Sequence, residues 1–490
     1  MKVILAGYNI DYEIIQDIED ALPDLEELTP ETIAAAYARI SRSPRPVNEL
    51  RALARAEVEK ARRSNRSIVF DMGHSSIAEH AVFNIDILGV SRLLVEEIEK
   101  FRLSSYTEKS QRYVLLEDDF VIPREIQEAG LEPLYAGTIR EQNRFYHELY
   151  GRLRAHVFDR NPDLASDPGN KPLLEGWAKE DARYIIALGT ETQLGMTINA
   201  RNLELMLRRL AAHELEEARA FSRRLYDATT RVSPSLIRYA AATDYDRLTR
   251  RDLREKAALL AAGQDSVPAM QTGEEPAVVL TGATDRADDQ IAAALIHSST
   301  LLPKSRCLDL AAGMGTEEKI DLIRTALRHL KAFDPVLREF EHVDLHFELI
   351  VSASCFAQLK RHRMATLTGQ DYDPALGVTI PPAVAAVGME APFLAMIART
   401  DAAHDRLRQA VPAAAAYILT NAHRKRVALK VNARELYHIA RLRADRHAQW
   451  DIRQLAERMI ALGKEAMPLT LMLAAGKDGF ASLYDQAFSS

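Results

Sequence analysis

The feature that most constrains how this chain folds is an internal repeat. VILAGYN from Val3 matches VVLTGAT from Val278, with Gly7 and Gly282 in the same place. IAEH, ending Glu79-His80, matches EFEH, ending Glu341-His342. AVFNIDILGV matches VDLHFELIV, EEIEKFR to Arg102 matches AQLKRHR to Arg363, and Asn199-Ala200-Arg201 matches Asn432-Ala433-Arg434. Five matches in one order point to a tandem pair of one unit. The copies span residues 1–262 and 275–490, joined through the turn-rich GQDSVPAMQTGEEP.

Within each copy the first block reads as a buried strand, and the third as an alternating one. PETIAAAYARISRS has the proline start and alanine run of a helix. LYAGTIREQNRFYHELYGRLRAHV and HDRLRQAVPAAAAYIL carry helical periodicity, and each NAR opens a long amphipathic helix. NPDLASDPGNKP reads as a loop, and so does GMGTEEK, which lacks the spacing of a phosphate loop. The expected class is α+β or α/β, two tandem units each with a mixed sheet and packed helices.

Composition excludes several functions. Hydrophobic residues make up 47% of the 490 and charged residues 27%, the balance of a globular protein with a large core. A net charge of −7 argues against nucleic acid as the partner. The two cysteines, Cys307 and Cys355, are too few for a disulfide framework or a cysteine-rich metal site, and no metal is expected. No stretch approaches the ~18 apolar residues of a membrane helix. The N-terminus has no cleavable signal pattern, so a cytoplasmic, non-membrane location is expected.

Chemistry concentrates in Gln358-Leu359-Lys360-Arg361-His362-Arg363, at the end of an apolar segment. Guanidinium groups brought to a buried element require a counter-charge, and their fork suits phosphate or carboxylate. A solvated basic helix end is the plain alternative. Plain alternatives stand elsewhere too: His74 and His80 as core histidines, Arg434 paired with a neighbouring carboxylate, Cys355 as an inert buried thiol.

GHSSIAEH, SSYTEKSQRY, QLKRHR and NARELYHIARLRADRHAQWDI together resemble the flavin-dependent thymidylate synthase family, in two divergent copies. The resemblance implies a flavoprotein methyltransferase of nucleotide biosynthesis with FAD, dUMP, methylenetetrahydrofolate and NADPH as ligands. It also implies tetramers whose sites lie at subunit interfaces. By that likeness dUMP contacts fall on Gln358, Arg361, Glu108, Ser110, Arg112, Arg183 and Arg443. FAD contacts fall on Ser76, Glu108, Arg361, His362, Arg363, Asn432, Arg434, His438 and His447. Arg443 takes the catalytic role, stabilising negative charge on the uracil ring. His447 is expected on the same helix face, four residues on.

The copies have lost complementary parts. The first keeps Glu108, Ser110, Arg112, Tyr113 and Arg183 but reads Lys100-Phe101-Arg102 in place of RHR. The second keeps Gln358, RHR and Arg443 but has Asp371 and Asp373 in place of the serine and arginine, and Ala416 in place of Arg183. Composite sites shared between halves are therefore expected, in a homodimer that forms a pseudo-tetramer. The other readings are a non-catalytic FAD or nucleotide binder, a methyltransferase for another pyrimidine nucleotide, and a structural assembly protein.

Overall fold

The computed structural model describes residues 1–10, 14, 29–40, 47–56, 58–66, 75–112, 114–116, 118–263 and 278–488. His74 and Tyr113 lie outside them. The chain forms two compact units, each with a four-stranded sheet.

Unit 1 joins β1 (Lys2–Tyr8), β2 (Val82–Ser91), β3 (Ser105–Glu108) and β4 (Glu191–Asn199) in the order β1-β2-β4-β3. All its ladders are antiparallel, where a mixed sheet was expected. Period-two alternation turns Phe83, Ile85 and Ile87 of β2 into the core. Each such side chain contributes roughly 1.5–3 kcal/mol, so a one-residue slip of register is strongly disfavoured. The helices packed with this sheet include α1 (Arg92–Ile98), α2 (Glu132–Arg160), α3 (Ala200–Ala211) and α4 (Glu216–Thr230).

Unit 2 repeats the plan. Strands β5 (Val278–Ala283), β6 (Asp344–Ser352), β7 (Thr366–Tyr372) and β8 (Arg424–Asn432) pair antiparallel in the order β5-β6-β8-β7. Its helices include α5 (Ala353–Leu359), α6 (Ala433–Arg443), α7 (Trp450–Ala466) and α8 (Lys477–Phe488). The matched glycines fall at matched irregularities, since the ladder shifts between Leu5 and Gly7 and again between Leu280 and Gly282. The other matched blocks also explain one another. Arg201 of the first NAR pairs with Glu79, and Arg434 of the second pairs with Glu341 at 3.0 Å.

The units do not follow the chain as two consecutive pieces. Unit 1 comprises Met1–Lys179, Ile186–Val267 and Leu394–Leu419; unit 2 comprises Glu180–Ile185, Pro268–Phe393 and Thr420–Ser490. Each repeat lends the other one segment. The Leu394–Leu419 segment buries Leu407, Tyr417 and Ile418 in the unit 1 core. Its backbone is held there by bonds from Leu188 N to Leu419 O and from Gly189 N to Tyr417 O, both 2.7 Å. Only glycine fits at 189, because a Cβ would stand 2.1 Å from the Tyr135 hydroxyl. The segment Glu180–Ile185 is fixed in unit 2 by Ala422 N to Tyr184 O (2.8 Å) and Asn421 Nδ2 to Arg183 O (2.9 Å).

Three local expectations change. RADRHAQW is not one helix: α6 ends at Arg443, so His447 does not share its face. Asp445 Oδ1 accepts from His447 N and turns the chain, and Gln449 caps the new helix α7. Gly476 packs so tightly on this corner that a Cβ would meet Ala444 O at 2.3 Å. NPDLASDPGNKP contains a helical turn at Pro162–Ala165 and a 3-10 turn at Pro168–Asn170. GMGTEEK is a tight junction between helices Lys304–Gly313 and Thr316–Leu327.

Candidate functional site

The site of unit 2 is built around the end of α5. Ser352 caps that helix, its Oγ accepting from Cys355 N at 2.9 Å. The helix buries Cys355 and Phe356 and delivers Gln358 to its last turn; Lys360-Arg361-His362-Arg363 follows. Burial pushes the Cys355 thiol well up, which keeps it protonated and inert.

His362 is buried, while Arg361 and Arg363 are exposed. Arg443 Nε donates to His362 Nε2 at 3.1 Å, so the ring proton sits on Nδ1, facing Glu435 Oε1 at 3.3 Å. Burial lowers the pKa of His362, the Glu435 contact opposes this, and the Arg443 charge lowers it further. Arg443 also donates from Nη2 to the Gln358 carbonyl at 3.2 Å, tying α6 to the end of α5. His438, nearly one turn from Glu435 on α6, meets the His362 ring edge-on at 5.7 Å.

His362, Glu435 and His438 place ligand-type atoms within 4.8 Å of one another. The tautomer argues against a cation there, since a proton occupies the Nδ1 position where a metal needs a lone pair. Charges from Arg441, Arg443 and Arg434 also act on His438.

Beneath Gln358 lies a buried polar chain that the sequence reading missed. Gln358 Nε2 donates to Gln449 Oε1 (3.3 Å), and Gln449 Nε2 donates to the Tyr184 hydroxyl (2.8 Å). That hydroxyl donates to Asp451 Oδ2 (2.9 Å), which also accepts from Ser352 Oγ (2.6 Å). Burial raises the pKa of Asp451, opposed by these two bonds and by the charges of Arg424 and Arg183. Arg183, from the lent segment, is thus in unit 2, next to the Tyr184 anchor. Arg424 is fully buried and donates to Thr379 Oγ1 at 2.9 Å. Lys425 lies between the rings of Phe356 and Tyr372, at 4.4 and 4.2 Å.

The remaining expected residues have partners of their own. Asn432 caps α6 through Glu435 N (2.8 Å), and Arg434 pairs with Glu341, as its plain alternative anticipated. His447 is exposed and lies 3.3 Å from Arg446 Nε. Asp373 caps a 3-10 turn through Ala375 N, and Asp371 is exposed.

A family model described as thymidylate synthase complementing protein, Thy1, matches residues 25–235 and again 279–469. The chain belongs to the Thy1 family. A flavin-dependent thymidylate synthase of Clostridium tetani is 28% identical over 215 residues, covering 43% of this chain and 82% of that one. The UPF0159 protein Ta1429 of Thermoplasma acidophilum is 24% identical over 473 residues, covering 87% of this chain and 91% of that one. Among solved structures, the UMP/dUMP methylase PolB from Streptomyces cacaoi is 18% identical with a TM-score of 0.35, covering 41% of this chain and 95% of that one.

The other Thy1 repeat, unit 1, holds Ser76, Glu108, Ser110 and Arg112. Ser76 is exposed on the 3-10 turn Ser75–His80. Glu108 is bound to Arg92 at 2.6 Å, with both side chains about as buried as the core. Burial works against the Arg92 charge, and Glu108 more than offsets it. Ser110 Oγ accepts from Arg112 N at 3.2 Å. The position of Gln358 is taken here by Glu97, whose carboxyl burial pushes up and His213 and Lys100 together hold at about 2. Ser91, Glu217 and Tyr417 reproduce Ser352, Asp451 and Tyr184: Ser91 Oγ and the Tyr417 hydroxyl donate to Glu217 Oε2 at 2.7 and 2.6 Å. That recurrence is the signal that would have revealed the buried chain, had serine, acid and tyrosine been compared between repeats.

Proposed function

We propose that unit 2 carries a flavin-dependent active site that methylates dUMP to dTMP, with methylenetetrahydrofolate as carbon donor and NADPH as reductant. The observation that carries this reading is the junction of Arg443, Gln358 and the RHR set in one cluster, in a chain whose two halves both match Thy1. The donor set suits FAD. Arg361, Arg363 and His438 are exposed beside a neutral His362, a group of donors fit for a pyrophosphate and the edge of a ring system. Asn432 and Arg434 fix the start of α6 beneath it. When bound, reduced flavin supplies the hydride chemistry.

The residues of the chain bind, orient and set the field. Arg183 and Arg361 favour the nucleotide phosphate, and Gln358 faces the pyrimidine. Arg443 stabilises negative charge as C5 of the ring becomes nucleophilic, an effect that is strongest where water is excluded. Cys355 takes no part, being buried and protonated. In this proposal a second copy of the chain brings Ser110 and Arg112 to the site, giving the pseudo-tetramer. Glu108 joins only if its bond to Arg92 opens. That closed bond favours the second reading, a FAD and nucleotide binder without turnover.

Purified protein should be yellow, and with NADPH and methylenetetrahydrofolate it should release tritium from 5-tritiated dUMP. Flavin absorbance without tritium release selects the binder; colourless protein that takes up no FAD ends both readings.

A further inference from the structure

The hydrogen-bond chain under Gln358 has a direction, and the direction is set by a helix end. Gln449 caps α7, its Oε1 accepting from Ile452 N at 3.4 Å. The cap fixes which end of the amide is oxygen. Nε2 must then face Tyr184, so the tyrosine oxygen accepts, and its own proton goes to Asp451 Oδ2. Ser352 is committed in the same sense, accepting from Cys355 N and donating to Asp451. On the other side Gln449 Oε1 can only accept, so Gln358 must present Nε2 to it.

The consequence falls on the free end of Gln358. With its nitrogen turned inward, its Oε1 is the outward group, and among the described residues it accepts no hydrogen bond. A half-buried carbonyl oxygen in that place asks its ligand for a donor.

We propose that Tyr184 and Gln449 are positioning residues that fix the polarity of the Gln358 amide, so that the site selects a pyrimidine whose ring carries an N3–H. This rests on the reading of unit 2 as a pyrimidine nucleotide site. Uracil has the N3–H; cytosine has a lone pair at N3, which a carbonyl oxygen repels. The selection is made by a buried chain whose central member comes from the other repeat. Sites built to pair with a specific donor discriminate more sharply than apolar pockets do.

The test is competitive binding of dUMP and dCMP to the FAD-loaded protein, for the wild type, Tyr184→Phe and Gln449→Ser. Tyr184→Phe keeps the ring stacked on Trp450 (5.6 Å) and removes the acceptor that holds Gln449 Nε2; Gln449→Ser keeps an oxygen for the helix cap but is too short to reach Gln358, which frees that amide to turn over. Retained flavin absorbance shows that the variants fold. The wild type should prefer dUMP strongly, and each variant should narrow the dUMP-to-dCMP affinity ratio about tenfold or more. A purely structural loss would weaken both ligands alike and leave the ratio unchanged. An unchanged ratio in both variants, or a wild type that binds dCMP as well as dUMP, overturns the inference alone. A wild type that binds neither nucleotide ends the reading of the site, and this inference with it.

Discussion

Arg443 joins two elements and carries the catalytic role in the proposed function, which makes it the residue whose removal is most informative. Arg443→Ala should lower tritium release from dUMP by about 10²–10³-fold, the usual cost of losing one preorganised donor, with flavin still bound. His362 offers a test by pH. Its pKa is lowered from 6.5, chiefly by burial. Below pH 6.5 the unfolded chain takes up a proton that the folded ring refuses. Its contribution to stability is therefore complete above 6.5 and is lost as pH falls through the folded value. Imidazole ¹⁵N shifts should show a neutral ring with the proton on Nδ1 at pH 7, titrating below 6.5. Protonated Nε2 would face Arg443 donor to donor, so flavin retention should weaken over the same range. A ring that titrates at or above 6.5 would contradict the lowered pKa, and a neutral ring with its proton on Nε2 would contradict the tautomer assigned to it.

At the scale of elements, the serine at the end of the second strand does the same work in both repeats. It caps the following helix and donates to a buried acid. Ser352→Ala and Ser91→Ala should each destabilise by about 1–2 kcal/mol through the cap, with a further loss where the acid is left short of a donor. Urea titrations followed by fluorescence measure this. The basic turns after these helices should diverge instead: Arg363→Ala should release flavin, whereas Arg102→Ala, which breaks a bond to the Glu99 carbonyl, should leave it bound. Much at this scale was legible in the sequence. Strand alternation, the paired glycine irregularities and the NAR caps all depend on residues close together in the chain. The end of α6 was not legible, because helical periodicity runs straight through RADRHAQW. What stops the helix is an Asp445 turn and the backbone at Gly476, over thirty residues away by number. The Tyr184–Asp451 bond spans 267 positions, and no local pattern announces it.

At the scale of the whole molecule, the tandem repeat was plain from five matched blocks, yet the loan of segments between copies was not, since block order is the same with or without it. The loan predicts how the chain can be cut. A fragment of residues 1–262 lacks Leu394–Leu419 and with it Ala403, Leu407, Ala414, Ala415, Tyr417 and Ile418 of the unit 1 core. Their burial is worth on the order of 10 kcal/mol, comparable to the whole stability of a domain. This fragment alone should show no cooperative unfolding in circular dichroism; a sharp transition would mean the lent segment is dispensable. A fragment of residues 275–490 lacks only Glu180–Ile185 and should keep a cooperative core, while Gln449 loses its tyrosine anchor.

The exchange at Glu180–Ile185 and Leu394–Leu419 also bears on how such a gene can change. After ordinary duplication, a copy that falls idle is free to decay or vanish. Here each copy keeps a piece of the other inside its own fold, so deletion of an idle one would strip the other. Mutation can erode its chemistry, but inheritance must carry the hostage peptide forward.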